Sequence, residues 1–395
     1  MKPALVLVIL LAVLAAGCAR VSKPTGWSTP EVDAGTLYVS VDRGKLSALD
    51  PTTYASQWQF PAGDQFACGS EKSQKHQIEG IYETPSFDDT TVYFGGYDGW
   101  VYAVDRATGG CKWRFETGDP IVGGTVLGDA GLYVPSEDGF LYLLNPADGS
   151  VKQKFASGDV WTTPLLTEDA LYVDTMDGKL YKLNPETLAP LWDKPFSVSA
   201  ALLVPPTLLG DDVVLVGGIG KELYAVSTAD GSQKWAVSGE NWYWGRPATD
   251  GTTVYATNLG GEVQAIDGTT GSVIWKYDTL KSVRAGVVVT DGFIVAADNS
   301  GNVYRLSKDN GDLQGQPNEL NETVYATPLL LTATAAASAS PTPVASATAS
   351  PTPAASGSPA PAPSGESGPT VLISTQSGHL WTLDVTLGRT TEVLS

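Results

Sequence analysis

Ala103-Val104-Asp105-Arg106-Ala107-Thr108-Gly109-Gly110-Cys111-Lys112-Trp113 is one complete copy of the phrase small-x-Asp-x-x-Thr-Gly-x-x-x-Trp, and Ala265, Asp267, Thr270, Gly271 and Trp275 spell a second. Each copy follows a run of alternating apolar residues, the pattern of a strand. The run reads Gly-x-(Leu/Val)-aromatic in its best copies. Its fourth position falls at Ser47, Tyr102, Tyr142, Tyr181, Tyr224, Gln264, Tyr304 and Trp381. The steps are 55, 40, 39, 43, 40, 40 and 77 residues, so five of the seven match one period. A polar stretch near Gly63–Gly80 lengthens the first step, and a low-complexity tract near Ala333–Gly368 lengthens the last. A period in this range marks units that bury their apolar faces against one another.

A second marker, aromatic-x-Thr-Pro, opens many units: Trp27 to Pro30, Tyr82 to Pro85, Trp161 to Pro164 and Tyr325 to Pro328. Degenerate copies sit at Val122–Thr125, Val204–Thr207, Trp244–Pro247 and Val283–Gly286. The order within a unit is therefore a Thr-Pro strand, a second strand, the Gly-x-Leu-Tyr strand and the Trp strand. Proline at the head of the first strand suits an innermost strand with one unpaired edge. Four antiparallel strands make a blade, and eight blades close a ring. The fold expected is all-β: an eight-bladed β-propeller of four-stranded antiparallel blades over residues 27–395. Asp98-Gly99, Asp138-Gly139 and Asp177-Gly178 read as hairpin turns of the primed type.

These units resemble the PQQ-enzyme repeat, whose Trp-docking motif is the phrase above followed five residues later by Gly. The second unit carries it in full, ending at Gly118, and the first keeps Ala48, Asp50, Thr53, Trp58 and Gly63. The fourth and fifth keep Trp192 and Trp235, joining Trp113 and Trp275. The third, seventh and eighth put Gln153, Gly315 and Glu392 at the Trp position. The resemblance covers nearly all of the chain after residue 26 and implies a structural role for Trp58, Trp113, Trp192, Trp235 and Trp275. An indole can bury roughly 150–250 Å², on the order of 4–6 kcal/mol as an upper bound.

The first residues read differently. Lys2 is a positive start, Ala4–Ala16 is apolar but too short to span a membrane, and Leu14-Ala15-Ala16-Gly17-Cys18 follows. This resembles a bacterial lipoprotein signal peptide over residues 1–17, with lipidation of Cys18 and a tether at 18–26. The expected location is on the extracytoplasmic side, lipid-anchored to the outer membrane if the cell has one and otherwise to the outer face of the cytoplasmic membrane. With Cys18 lipidated, Cys68 and Cys111 are the only other cysteines. An oxidising compartment favours their bridging, and two free thiols is the alternative.

A net charge of −19 argues against nucleic acid as a partner, which needs basic patches. The tract at 333–368, mostly Ala, Ser, Thr and Pro, cannot bury a core and is expected as an extended insertion within the eighth blade. Only two histidines occur, His76 and His379, neither with a second His or Cys at ligand spacing. Gly217–Lys221 has the glycines of a phosphate loop, but Glu222 follows and a strand comes next, so it reads as a hairpin turn. No catalytic residue, metal or cofactor is expected.

Three function classes stand. A quinoprotein dehydrogenase would carry an adjacent Cys-Cys pair and calcium-binding insertions, which this chain lacks. An anchored scaffold similar to the BamB family would bind a protein partner in the cell envelope, as a monomeric ring. A surface sensor would bind a small ligand, glycan or peptide in the propeller mouth. Any binding face is expected where the loops entering the first strands meet the Asp-Gly hairpins. Trp27, Tyr82, Trp161, Trp242, Trp244 and Tyr325 fall there, with Glu83, Arg246 and Arg284 beside them. The alternative is that these rings pack between blades.

Overall fold

The computed structural model describes residues 26–41, 44–331 and 369–394. The signal segment, Cys18, the tether up to residue 25 and the tract at 333–368 lie outside the described residues.

All eight expected blades are present, as eight four-stranded antiparallel sheets each built from consecutive strands. In the second blade the strands are Ser86–Phe87, Thr91–Gly95, Trp100–Asp105 and Cys111–Glu116. Middle strands lie between neighbouring blades and are covered on both faces, so all five residues of Thr91–Gly95 are buried. That double burial is why they read as continuous apolar runs. The first strands are innermost: Ser86–Phe87, Val126–Gly128 and Leu165–Leu166 lie side by side, as do Ala248–Thr249 and Val288–Val289. The threonine of the second marker has a job there. Thr163 Oγ1 accepts the Gly124 N–H at 2.9 Å and Thr327 Oγ1 accepts that of Gly286 at 3.0 Å, each tying a blade to the one before.

The outer edge is held by indoles. Trp58, Trp113, Trp192, Trp235 and Trp275 donate Nε1–H to carbonyls of the next blade, those of Arg106, Pro146, Thr228, Gly268 and Lys308, at 2.8–3.1 Å. Each ring also lies on the turn glycine of that next blade: Gly109, Gly149, Gly231, Gly271 and Gly311. A Cβ on these glycines would come within 2.5–2.9 Å of the indole, and their φ lies between 71° and 75°. The turn is therefore glycine for two reasons at once, space and backbone.

Where the indole is missing, the turn changes with it. Gln153 and Glu392 replace Trp on the third and eighth blades, and the facing turns carry Leu188 and Tyr54, both with positive φ. With no ring to accommodate, a side chain fits. The seventh blade does otherwise. Gly315 stands at the Trp position, but Arg305 from the third strand lies on Gly388 and donates to the carbonyls of Val385 and Thr386. An arginine replaces the indole. The ring closes without exchanging a strand: Leu37, Val39 and Leu49 of the first blade pack with Leu372 and Leu380 of the eighth.

The stretch near Gly63–Gly80 contains a hairpin, Gln65–Phe66 with Gln74–Lys75. It brings Cys68 to Cys111, which are joined with Cα atoms 4.7 Å apart. The Asp-Gly hairpins are not of the primed type. Only Gly99, Gly139 and Gly178 have positive φ, and the N–H of Gly99 and Gly178 returns to the carbonyls of Gly96 and Thr175. These are type I turns followed by a left-handed glycine. The aspartate stays in an ordinary conformation because its carboxylate bonds the chain beyond it, as Asp138 Oδ1 does with the Phe140 N–H at 3.1 Å.

Removing one docking ring tests this account. Trp235→Ala should cost about 3–5 kcal/mol in denaturant unfolding followed by circular dichroism. Trp242→Ala, on an exposed ring, should stay within about 0.5 kcal/mol. Equal costs would show that docking does not hold the ring.

Candidate functional site

One end of the ring collects the loops that enter each first strand and the hairpins between second and third strands. They interlock there: the Tyr97 N–H donates to Gly80 O at 2.9 Å and the Glu137 N–H to Pro120 O at 3.0 Å. At their centre opens a cavity of about 400 Å³. The structure brings Trp27, Tyr82, Glu83, Trp161, Trp244, Arg246, Arg284 and Tyr325, far apart in sequence, to its wall. Trp242 is the exception, being 39% exposed and not on the wall. Tyr243 turns inward, 1% exposed, and donates to Gln264 Oε1 at 2.7 Å, while Trp244 alone of its two neighbours faces the cavity.

The expected aromatics form a linked belt. Trp27 meets Tyr82 edge-on at 4.4 Å and Tyr325 at 5.2 Å, and Tyr82 meets Tyr97 at 5.5 Å. The Arg284 guanidinium sits between rings, 4.2 Å from the centroid of Trp27, 3.9 Å from that of Trp244 and 5.1 Å from that of Tyr325. These are cation–π contacts in a partly desolvated setting. The rings are half-buried wall residues, so neither exposure to bulk water nor packing between blades describes them.

Carboxylates complete the wall. Burial pushes Glu83 above the usual carboxylate range, against the pull of Arg246. Burial and then the charge of Asp33 raise Glu31; burial and then Asp159 and Asp119 raise Glu137. Glu31, Tyr97 and Glu137 went unread in the sequence. The signal available was position: Tyr97 and Glu137 each precede the Asp of a hairpin, a place the repeat turns toward the axis.

The histidines fall elsewhere. His76 Nε2 lies 2.7 Å from Asp98 Oδ2 and from the Tyr102 hydroxyl, under the added hairpin. His379 has the ligand-type neighbours that sequence spacing did not show. Its Nδ1 is 2.7 Å from Glu322 Oε1 and 3.5 Å from Glu392 Oε1. Thr375 and Ser377 hydroxyls donate to the other Glu322 oxygen, so the group clamps the seventh blade's exit loop onto the eighth blade.

Behind the wall, Asp174 is fully buried, accepts from the Thr162 hydroxyl and leaves Oδ2 unpartnered. Burial pushes its pKa up to about 7. An unfolded aspartate titrates near ~3.9, so the folded state holds a proton that the unfolded chain has lost between those values. Stability contributed here is therefore present at low pH and falls as pH rises toward 7. Thermal melts at about pH 5 and about pH 8 should show a loss in the wild type that Asp174→Asn reduces. An equal slope in both proteins would remove Asp174 as its source.

A family model described as outer membrane protein assembly factor BamB matches residues 16–151, 97–314 and 221–392. The curated protein of that name from Xanthomonas campestris pv. campestris is 32% identical over 117 residues, 27% of this chain and 28% of that protein. The one from Alkalilimnicola ehrlichii is 29% identical over 111 residues, again 27% and 28%. The chain thus spans under a third of the length of these relatives. Among solved structures, BamB from Moraxella catarrhalis superposes with a TM-score of 0.65 at 16% identity, covering 89% of this chain and 92% of that one. Quinohemoprotein alcohol dehydrogenase from Comamonas testosteroni gives 0.61 at 12% identity, covering 78% and 69%. Such identities show the shared propeller fold alone. The family model, in contrast, runs through the whole ring, and on it this chain belongs to the BamB family.

Proposed function

We propose that this protein is a non-enzymatic scaffold of the cell envelope that binds another envelope protein through the loop face around the channel mouth. The family match across the ring carries this reading. The relatives are named outer membrane protein assembly factors, and assembly of outer-membrane proteins is the role proposed here. The chain's lack of an adjacent cysteine pair supports the non-enzymatic part.

One loop argues for where the partner docks. Thr279 donates its hydroxyl to Gly261 O at 3.0 Å and Lys281 O at 2.7 Å, as Thr117 does to Gly99 O and Asp119 O at 2.8 and 2.7 Å. Within that shared frame the second blade has Gly118 and the sixth has Leu280. Leu280 is 81% exposed at φ +62°, a conformation that costs a side chain about 1–2 kcal/mol. An apolar side chain held out at such a cost suits a contact with another surface. Trp242 lies on the same side, its carbonyl accepting the Leu259 N–H at 2.9 Å, while the Ser282 hydroxyl bonds Leu259 O at 2.8 Å.

Lipidation of Cys18 would set the orientation. Trp27 enters at the mouth end, bonded through its N–H to Ile81 O at 3.0 Å. The eight steps from Cys18 to Gly26 reach at most about 29 Å, so an anchored ring keeps its mouth near the membrane.

Two experiments test these proposals. Cys18→Ser should leave the protein soluble or uncleaved; unchanged membrane association and processed size would remove the anchor. Loss of the gene should lower outer-membrane β-barrel proteins, and wild-type protein should restore them better than a folded Trp242→Ala, Leu280→Gly variant. Equal rescue would move the docking face elsewhere, and no change on gene loss would end the assembly role.

A further inference from the structure

The sequence holds eight arginines, and six lie among the described residues. Three have committed guanidinium groups: Arg106 to Asp33, Arg114 to Glu71, and Arg305 to two carbonyls of the eighth blade. Arg389 is exposed on the outermost strand of that blade. The remaining two, Arg246 and Arg284, line the same cavity. Arg284 is held by rings, and its Nε is buried with no acceptor. Arg246 stands exposed in the mouth, forming no ion pair with Glu31, Glu83 or Asp174, the carboxylates that feel its charge.

Ordinarily a guanidinium near three carboxylates is paired. Here those acids are weakened as counterions, because burial raises each of them toward the neutral form. Two permanent cations therefore face one space inside a molecule of net charge −19. That space has aromatic walls and a volume of about 400 Å³. A bare inorganic ion would leave most of it empty, and a folded domain is far too large. The size is that of a small-molecule pocket.

We propose that the channel mouth binds a small organic anion, with a carboxylate or similar oxyanion paired to Arg246 and the free Nε of Arg284, and an aromatic or apolar body against Tyr82, Trp161 and Trp244. The planar fork of arginine suits an oxyanion, and the rings suit the body. This site is distinct from the outer surface at Trp242 and Leu280, so binding of the anion does not depend on the partner-docking reading.

Calorimetric titration of the purified protein with naphthylacetate and with octanoate tests it, naphthylacetamide serving as the uncharged counterpart. At least one anion should bind one site per chain at about 1 mM or below. The amide, and the anion with Arg246→Gln, should bind about tenfold more weakly or worse. Trp242→Ala should bind as wild type does. Among the described residues the Arg246 side chain makes no hydrogen bond or ion pair, so its variant should stay folded, checked by its melt; Arg284→Gln is the second variant, read only if it too stays folded. Absence of binding by both anions, equal affinity for acid and amide, or an unchanged affinity in Arg246→Gln would each overturn the proposal.

Discussion

Each docking indole reaches from the outer strand of one blade to a turn of the next, where a glycine at φ between 71° and 75° leaves room for it. The contact combines a large apolar area with one directed bond to a carbonyl, so it fixes both the distance and the angle between blades. Five seams use it, and a sixth uses the Arg305 guanidinium in the same place. Strands within a blade are held by their ladders. Blades are held to one another by these side chains together with backbone bonds between their entry loops, such as Trp27 N–H to Ile81 O.

A stiff outer edge lets the inner edge specialise. The first strands are two or three residues long, and some of their side chains, such as Leu209 and Val288, join the cores between blades. What they and their entry loops also contribute is position: eight short segments point their first residues at one axis. Rings, carboxylates and guanidiniums from seven of the eight blades meet there, carried by segments that lie far apart in sequence. Crowding so many ionisable groups in a half-buried space alters them. Burial raises the pKa of Glu83, Glu137 and Asp174 and lowers that of Arg284.

The repeat was legible because it is local. Asp105, Thr108 and Gly109 make a turn whose bonds lie within four residues, and Trp113 follows at a fixed interval, so a single strip of sequence reports it. Blade count and strand order follow from the same strips, as does most of the mouth, since the aromatic-x-Thr-Pro marker carries its rings. Long-range substitutions were not legible. Arg305 takes over from an indole but sits on a different strand, and Glu322 reaches His379 from 57 positions away. Trp242 and Trp244 flank an inward Tyr243 and share one parity, so the sequence pattern did not tell the ring on the cavity wall from the exposed ring beside it. The turn type at Asp98-Gly99 was misread for a related reason: two-residue and three-residue hairpins share the same Asp-Gly letters, and only the backbone distinguishes them.

The coupling between indole and glycine also governs how such a ring can be rebuilt. A blade brings its tryptophan from one end and its receiving turn from the other, so it is compatible only with neighbours that supply the matching halves. Moving the second blade next to the fourth would press Trp113 onto Leu188, where no space exists for it. Duplicating the fifth blade, which both receives an indole at Gly231 and offers one at Trp235, would join cleanly at each side. The seams before Leu188 and before Tyr54 are the two where this grammar lapses. They split the ring into a three-blade and a five-blade block.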